Sequence, residues 1–147
     1  MHLRVSTRPL SLAAAVAALA VTGGFASAAA SSSAAVSIDD ATACLDGSVF
    51  CYRPAALTVS PNTVVTVTNS SVDIHSLTRC TVAACGAGNA GDGPQTFDTG
   101  HLSSGATAQI TLKHPGTYVY YCTIHGYSVM HGTFVVSGDG GSNAARR

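Results

Sequence analysis

The sequence predicts an all-β domain, and three observations support this fold class. From residue 56 onward, short runs rich in Val, Thr and Tyr recur along the chain, a composition that is typical of β-strands. Turn residues such as Pro, Asn, Ser and Gly separate these runs. After the first 28 residues, no stretch shows a sustained apolar period of about 3.6 residues, so few helices are expected.

Six strands are predicted between residues 56 and 136. They are Ala56–Val59, Thr63–Thr68, Ile74–Thr78, Ala106–Leu112, Thr117–Tyr121 and Gly132–Val136. The second of these shows alternation of apolar and polar residues, which indicates a strand with one buried face. Residues 86–100 contain five glycines and little that packs, so a long surface loop is expected there.

The first 28 residues are typical of a secretory signal peptide. Arg4 and Arg8 precede an apolar stretch from Leu10 to Val21, and small residues follow as far as Ala28. This stretch is too short to span a bilayer comfortably. We therefore expect a soluble protein that is secreted, attached at the cell surface or periplasmic after cleavage.

The rest of the chain is predicted to contain one domain. Residues 29–38 are rich in Ala and Ser and are expected to be a flexible lead-in, 39–137 form the folded domain, and 138–147 form a disordered tail. About 119 residues remain after cleavage, enough for one modest core. The whole chain has zero formal charge, and removing two signal arginines leaves about −2, which does not favour a nucleic-acid-binding face.

The chain has five cysteines, an odd number that leaves one thiol over if the others pair in an oxidising compartment. Pairing of near neighbours would join Cys44 to Cys51 and Cys80 to Cys85, leaving Cys122 free. Other connectivities remain possible on the sequence alone.

Three other candidate metal ligands accompany this thiol in the sequence. Cys122, His125 and Met130 lie in one short run, and His75 lies 47 positions before the cysteine. A thiolate, two imidazoles and a thioether are the ligands of a blue-copper electron-transfer site. Sulfur suits Cu(I) and imidazole suits Cu(II), so a rigid mixed set accepts both states with little rearrangement. Alternation along the preceding strand turns the cysteine towards the core.

Each ligand candidate also has a simpler interpretation. A free cysteine is often a buried structural thiol, a lone histidine on a strand is usually structural, and a methionine before a strand can be a core residue. The spacing of Cys122 and His125, with the odd cysteine count, favours a metal site. His131 is the rival to Met130 as fourth ligand. Two further histidines lie in turns and are expected in solvent: His101 and His114.

The segment from Phe97 to Val136, with its Cys-x2-His-x4-Met loop, resembles the plastocyanin/azurin family of small cupredoxins, which are blue (type 1) copper proteins. The similarity spans about Leu57 to Val136, and the loop spacing is similar to that of plastocyanin and pseudoazurin. The resemblance implies a Greek-key β-sandwich of about eight strands. The segment around Cys44 and Cys51 would be an additional N-terminal strand or loop held to the sandwich.

By this resemblance, the cofactor is one type 1 copper that cycles between Cu(I) and Cu(II). His75, Cys122 and His125 would be its equatorial ligands, and Met130 would be the weak axial ligand. Side-chain alternation at the start of the last strand predicts that Met130 points inward and that His131 points to solvent.

The resemblance also implies electron transfer. Electrons would leave through the exposed edge of His125, beside Gly126 and Tyr127, and Tyr121 is similar to a tyrosine that serves as a second entry point. We expect an exported monomer, not an enzyme, that carries single electrons between redox partner proteins docking near His125. The alternative left open is a secreted copper-binding or copper-delivery protein. A metal-free Ig-like adhesion module would leave Cys122 unexplained.

Overall fold

A computed structural model describes residues 32–138, which form eight strands and one four-residue helix. The elements are β1 (Ser33–Asp40), β2 (Phe50–Arg53), β3 (Ala56–Val59), β4 (Thr63–Asn69), β5 (Thr78–Arg79), α1 (Val82–Cys85), β6 (Thr107–Leu112), β7 (Gly116–Tyr121) and β8 (His131–Val136). The predicted signal peptide and residues 139–147 of the predicted tail lie outside the described residues. Within 32–138, no helix has the length and apolar character needed to cross a membrane.

The strands form two four-stranded sheets with the orders β2-β1-β4-β6 and β3-β8-β7-β5. In the first sheet, β1 runs parallel to β4 and antiparallel to β2, and β4 is antiparallel to β6. In the second, β3 is parallel to β8, and β7 is antiparallel to both β8 and β5. The predicted all-β sandwich with few helices is therefore confirmed.

The core lies between the sheets and follows from alternation along the strands. Every second residue of β4 is buried, including Val65 and Val67. In β7 the buried residues are Tyr118 and Tyr120, and Cys122 continues the same alternation beyond the end of the strand. The thiol is therefore delivered to the buried end of the core, as the sequence predicts.

The predicted flexible lead-in over residues 29–38 is wrong from residue 33 onward. Ser33 begins β1, which pairs with β4 over six residues and with β2 over four. Val36 and Ile38 are fully buried in the core. The Ala and Ser residues conceal this strand in the sequence because backbone pairing on both sides, rather than large side chains, orders it.

The other predicted strands agree with the structure except one. Five of the six have boundaries within one residue of those observed. The predicted strand Ile74–Thr78 is instead an irregular connection, with a single bridge between His75 and Leu102, and only Thr78 and Arg79 form β5. This segment must bring a side chain to the end of the sandwich, so regular pairing is interrupted there.

The glycine-rich loop, residues 86–100, is anchored by a buried arginine. The guanidinium of Arg79 donates hydrogen bonds to two backbone carbonyls within the loop and to two outside it. These acceptors are Cys80, Ala90, Gly93 and Val119. The predicted disulfide between Cys80 and Cys85 closes the start of the segment.

Candidate metal centre

The loop after β7 returns to β8 through three backbone hydrogen bonds. The amide of Gly126 donates to the Cys122 carbonyl at 2.9 Å, and that of Met130 donates to the Gly126 carbonyl at 3.1 Å. The Cys122 amide in turn donates to the Met130 carbonyl at 3.2 Å. Gly126 has a φ of 83°, which favours glycine. The closed loop places the thiol, the His125 imidazole and Met130 at one end of the sandwich.

His75 reaches this end from the connection between β4 and β5. Its amide donates to the Leu102 carbonyl at 3.1 Å, and its carbonyl accepts from the Leu102 amide at 2.7 Å. This two-way bridge fixes the backbone of an otherwise irregular segment. The His75 side chain is completely buried, so its position is set by the fold and not by the loop that carries the other candidates.

Three donor atoms of His75, Cys122 and His125 converge within 4.8 Å of one another. Sγ of Cys122 lies 3.8 Å from Nδ1 of His75 and 3.4 Å from Nδ1 of His125. Ligand bonds of about 2.0–2.3 Å to one metal ion at trigonal or tetrahedral angles separate sulfur and nitrogen by about 3.5–3.8 Å. The three side chains therefore fit a single mononuclear metal ion.

The surroundings of His75 favour its neutral imidazole. Burial, followed by the proximity of His125, lowers the pKa of His75. A neutral ring can offer a nitrogen lone pair to a metal, whereas a protonated ring cannot. Burial of His75 thus favours the protonation state that coordination requires.

Ser76 links the two halves of the site, and sequence reasoning missed it. Its amide donates to Sγ of Cys122 at 3.4 Å, and its Oγ accepts from the amide of Thr123 at 2.9 Å. Hydrogen bonds to the cysteine sulfur tune a thiolate–copper centre. The only signal in the sequence was that a serine directly follows the candidate ligand His75.

Met130 and His131 face opposite ways, as predicted from alternation. Met130 is 1 % exposed and belongs to the core. His131 is exposed, and its Nδ1 donates to the Tyr127 carbonyl at 2.9 Å while its ring stacks on that of Tyr127. The orientation favours Met130 over His131 as fourth ligand, and this assignment stays a prediction.

Phe50 is a second residue that sequence reasoning missed. Its ring centroid lies 4.8 Å from that of His75 and 4.4 Å from that of His125. Phe50 comes from β2, a short edge strand next to the disulfide between Cys44 and Cys51. The one ligand-type residue of this strand, Cys51, is in the disulfide, so the sequence of the strand did not point to the site.

The remaining histidines and cysteines match their predicted places. His101 and His114 are exposed. Both near-neighbour disulfides are present, and among residues 32–138 the free cysteine is Cys122. The odd cysteine is therefore the thiol at the centre of the site.

A β-sandwich that holds one buried cysteine thiol and two imidazoles at its end defines a mononuclear copper protein. The sequence profile of copper binding proteins of the plastocyanin/azurin family matches residues 39–137. The chain belongs to the plastocyanin/azurin family of copper binding proteins, and copper is its cofactor. A comparison with curated proteins finds no match.

Solved structures share the fold. A purple cupredoxin from Nitrosopumilus maritimus is 23 % identical with a TM-score of 0.54, over 71 % of this chain and 99 % of that one. Reduced auracyanin from the photosynthetic bacterium Roseiflexus castenholzii is 24 % identical with a TM-score of 0.51, over 74 % and 99 %. A pseudoazurin from Sinorhizobium meliloti is 24 % identical with a TM-score of 0.50, over 71 % of this chain and 74 % of that one. At these identities the likeness concerns the fold alone.

Proposed function

We propose that this protein is an exported electron carrier that holds one type 1 copper ion and passes single electrons between redox partners. The observation that carries the proposal is the convergence of His75, Cys122 and His125 within 4.8 Å in a buried, preformed site. Copper bound there supplies a one-electron Cu(I)/Cu(II) couple. Met130, buried beside this site in the sandwich core, is the proposed axial ligand.

The protein's own residues keep rearrangement small during electron exchange. The His75 backbone is bonded to Leu102, and the ligand loop is closed on itself at Gly126 and Met130. The Ser76 amide holds the sulfur in place. Because these bonds involve backbone groups of the fold, they would hold the segments that carry the ligands in the same place in both oxidation states.

His125 is the proposed point of electron exit. It is half-buried, whereas His75 is fully buried. The neighbouring apolar side chains of Ile124 and Val129 are nearly half exposed, at 46 % and 48 %. Redox partner proteins would dock over this surface, which offers close approach and little charge to desolvate.

The burial of the site argues for a carrier rather than an enzyme. Cys122, His75 and Met130 are all at most 1 % exposed, so these three side chains leave little open coordination space for a substrate. The two arginines, the apolar stretch and the small residues within the first 28 positions support export through a signal peptide.

Copper(II) titration of the purified protein tests this function. We expect one equivalent to produce an intense visible thiolate-to-copper band and a reversible one-electron wave in voltammetry. Weak colour or binding of several equivalents would overturn the type 1 assignment. Copper delivery, the alternative role, would be favoured by rapid transfer of Cu(I) to a competing chelator, whereas a carrier retains copper in both states. His131→Ala is the matched control: because this neighbouring imidazole faces solvent, the variant should bind copper and show the same visible band as the unmodified protein.

A further inference from the structure

The edge strand β2 directs two aromatic side chains to the metal centre. Phe50 and Tyr52 point inward while Cys51, between them, forms the disulfide with Cys44. Tyr52 donates a hydrogen bond to the carbonyl of Ser76, the residue whose amide bonds the thiol. Residues 44–53, called here the disulfide segment, are therefore in contact with the site at two points.

The orientation of the His75 ring depends on packing. A metal-binding histidine usually donates its second ring N–H to an oxygen, which fixes the ring. Nε2 of His75 is buried and has no hydrogen-bond partner among the described residues. The ring instead meets Phe50 edge to face, with centroids 4.8 Å apart. Aromatic pairs of this geometry are favourable beyond their buried area.

Phe50 also lines a surface cleft next to the site. The cleft has a volume of about 240 Å³ and lies between the disulfide segment and the end of the ligand loop. Phe50 and Met130 both line it, whereas His75 and His125 do not. Because Phe50 lines the cleft and its ring also contacts both imidazoles, this residue lies between the cleft and the two histidines.

Backbone pairing and a disulfide hold Phe50 in this position. Phe50 pairs with Asp40 of β1 and Tyr52 pairs with Ile38, while the disulfide joins the preceding turn to Cys51. Phe50 is therefore held by backbone pairing with β1 and by the disulfide at the next residue.

We propose that Phe50 is a positioning residue that closes the metal centre. It holds the imidazoles of His75 and His125 in their binding orientation, and it keeps small solutes in the cleft from the sulfur and the metal. This inference rests on the proposed function, since the group it protects is the proposed copper ion.

The first test uses the copper-free protein and alkylation of Cys122 by iodoacetamide, followed by mass spectrometry. We expect Phe50→Ala and Phe50→Leu to react about tenfold faster than the unmodified protein. Without the two ring contacts, the free-energy cost of exposing the thiol to the reagent should fall by an amount that corresponds to about this factor. Phe50→Tyr keeps the ring and should retain the original rate. Phe97→Leu is the matched control, because Phe97 is also a half-buried aromatic but packs on Tyr118 and Phe134.

Equal rates for Phe50→Leu and Phe97→Leu would overturn the proposal, and this comparison stands even if Phe50→Ala fails to fold. The second test adds azide to the copper(II) forms. We expect the visible spectrum of Phe50→Leu to change on addition, and those of the unmodified protein and Phe97→Leu to stay constant. An identical response of all three would contradict the role of Phe50. A protein that takes up no copper, yet shows the alkylation difference, would overturn the proposed function alone.

Discussion

The amide of Ser76 donates a hydrogen bond to Sγ of Cys122 at 3.4 Å, although the two residues are 46 positions apart. The hydroxyl of Ser76 also accepts from the amide of Thr123 at 2.9 Å. One serine thus joins the segment that carries His75 to the loop that carries the other candidate ligands. The geometry of the centre depends on this link between separate parts of the fold.

Loss of this link should lower the reduction potential. In Ser76→Ala the amide N–H remains, but the anchor to Thr123 is lost, so the bond to sulfur weakens. A weaker hydrogen bond from the Ser76 amide leaves more negative charge on the thiolate sulfur, and this charge favours Cu(II). Voltammetry should show the drop in potential, and urea unfolding should show a loss of about 1–2 kcal/mol in unfolding free energy. Ser71→Ala, at another buried serine, should lose stability without a change in potential.

Replacement of the thiol should remove the colour and keep the fold. Cys122→Ser retains the strands and the core, but it has no thiolate to give a charge-transfer band with copper(II). Absorption and circular dichroism of the same sample provide the two measurements. An equally intense visible band in the serine variant would disprove coordination by Cys122.

The two neighbours at the end of the loop should differ in their effect on the potential. Met130 is buried and His131 is exposed, and a weak thioether contact favours Cu(I). Met130→Gln should therefore lower the potential, while His131→Ala should barely change it. Redox titrations of the pair check this ranking. The reverse ranking would show that the loop register at the metal is shifted by one residue.

Arg79 should matter for stability and not for copper. Its guanidinium donates to four backbone carbonyls, so Arg79→Met should reduce the unfolding free energy by about 2–4 kcal/mol. Arg53→Met is the control, because the Arg53 side chain is 51 % exposed, with an ion pair to Asp39 and one long hydrogen bond to the Ala43 carbonyl, so its removal should cost about 1 kcal/mol or less. Urea unfolding with intact disulfides measures both. Similar losses in the two variants would contradict the anchoring role.

The copper-free protein should lose stability in mild acid. Burial lowers the pKa of His75 in the folded state from the ordinary value of 6.5, so below about pH 6.5 the unfolded chain binds a proton that the folded chain does not. Unfolding free energy should fall as the pH drops from 6.5 towards the folded-state pKa, by at most about 1.4 kcal/mol per pH unit. His114→Gln, at an exposed site, should keep this slope, whereas His75→Asn should flatten it. A slope that persists in His75→Asn would assign the effect to another group.

Local patterns in the sequence were sufficient for much of the fold. Alternation and turn residues identify β3, β4, β6, β7 and β8, because one buried face leaves a period of two in each strand. The predicted strand at Ile74–Thr78 fails because this segment is shaped by the bridge between His75 and Leu102. β1 was missed since small residues carry little pattern, and its order comes from pairing with β4 and β2.

The candidate ligands could be proposed from residue types and spacing, because Cys122, His125 and Met130 share one loop. The sequence by itself also determined the odd cysteine and the chemistry it offers. Only the tertiary structure decided which groups surround those ligands. Ser76 and Phe50 act through an amide and a phenyl ring, which have no distinctive sequence signal, and their roles arise only when β2 and the His75 segment are packed against the loop.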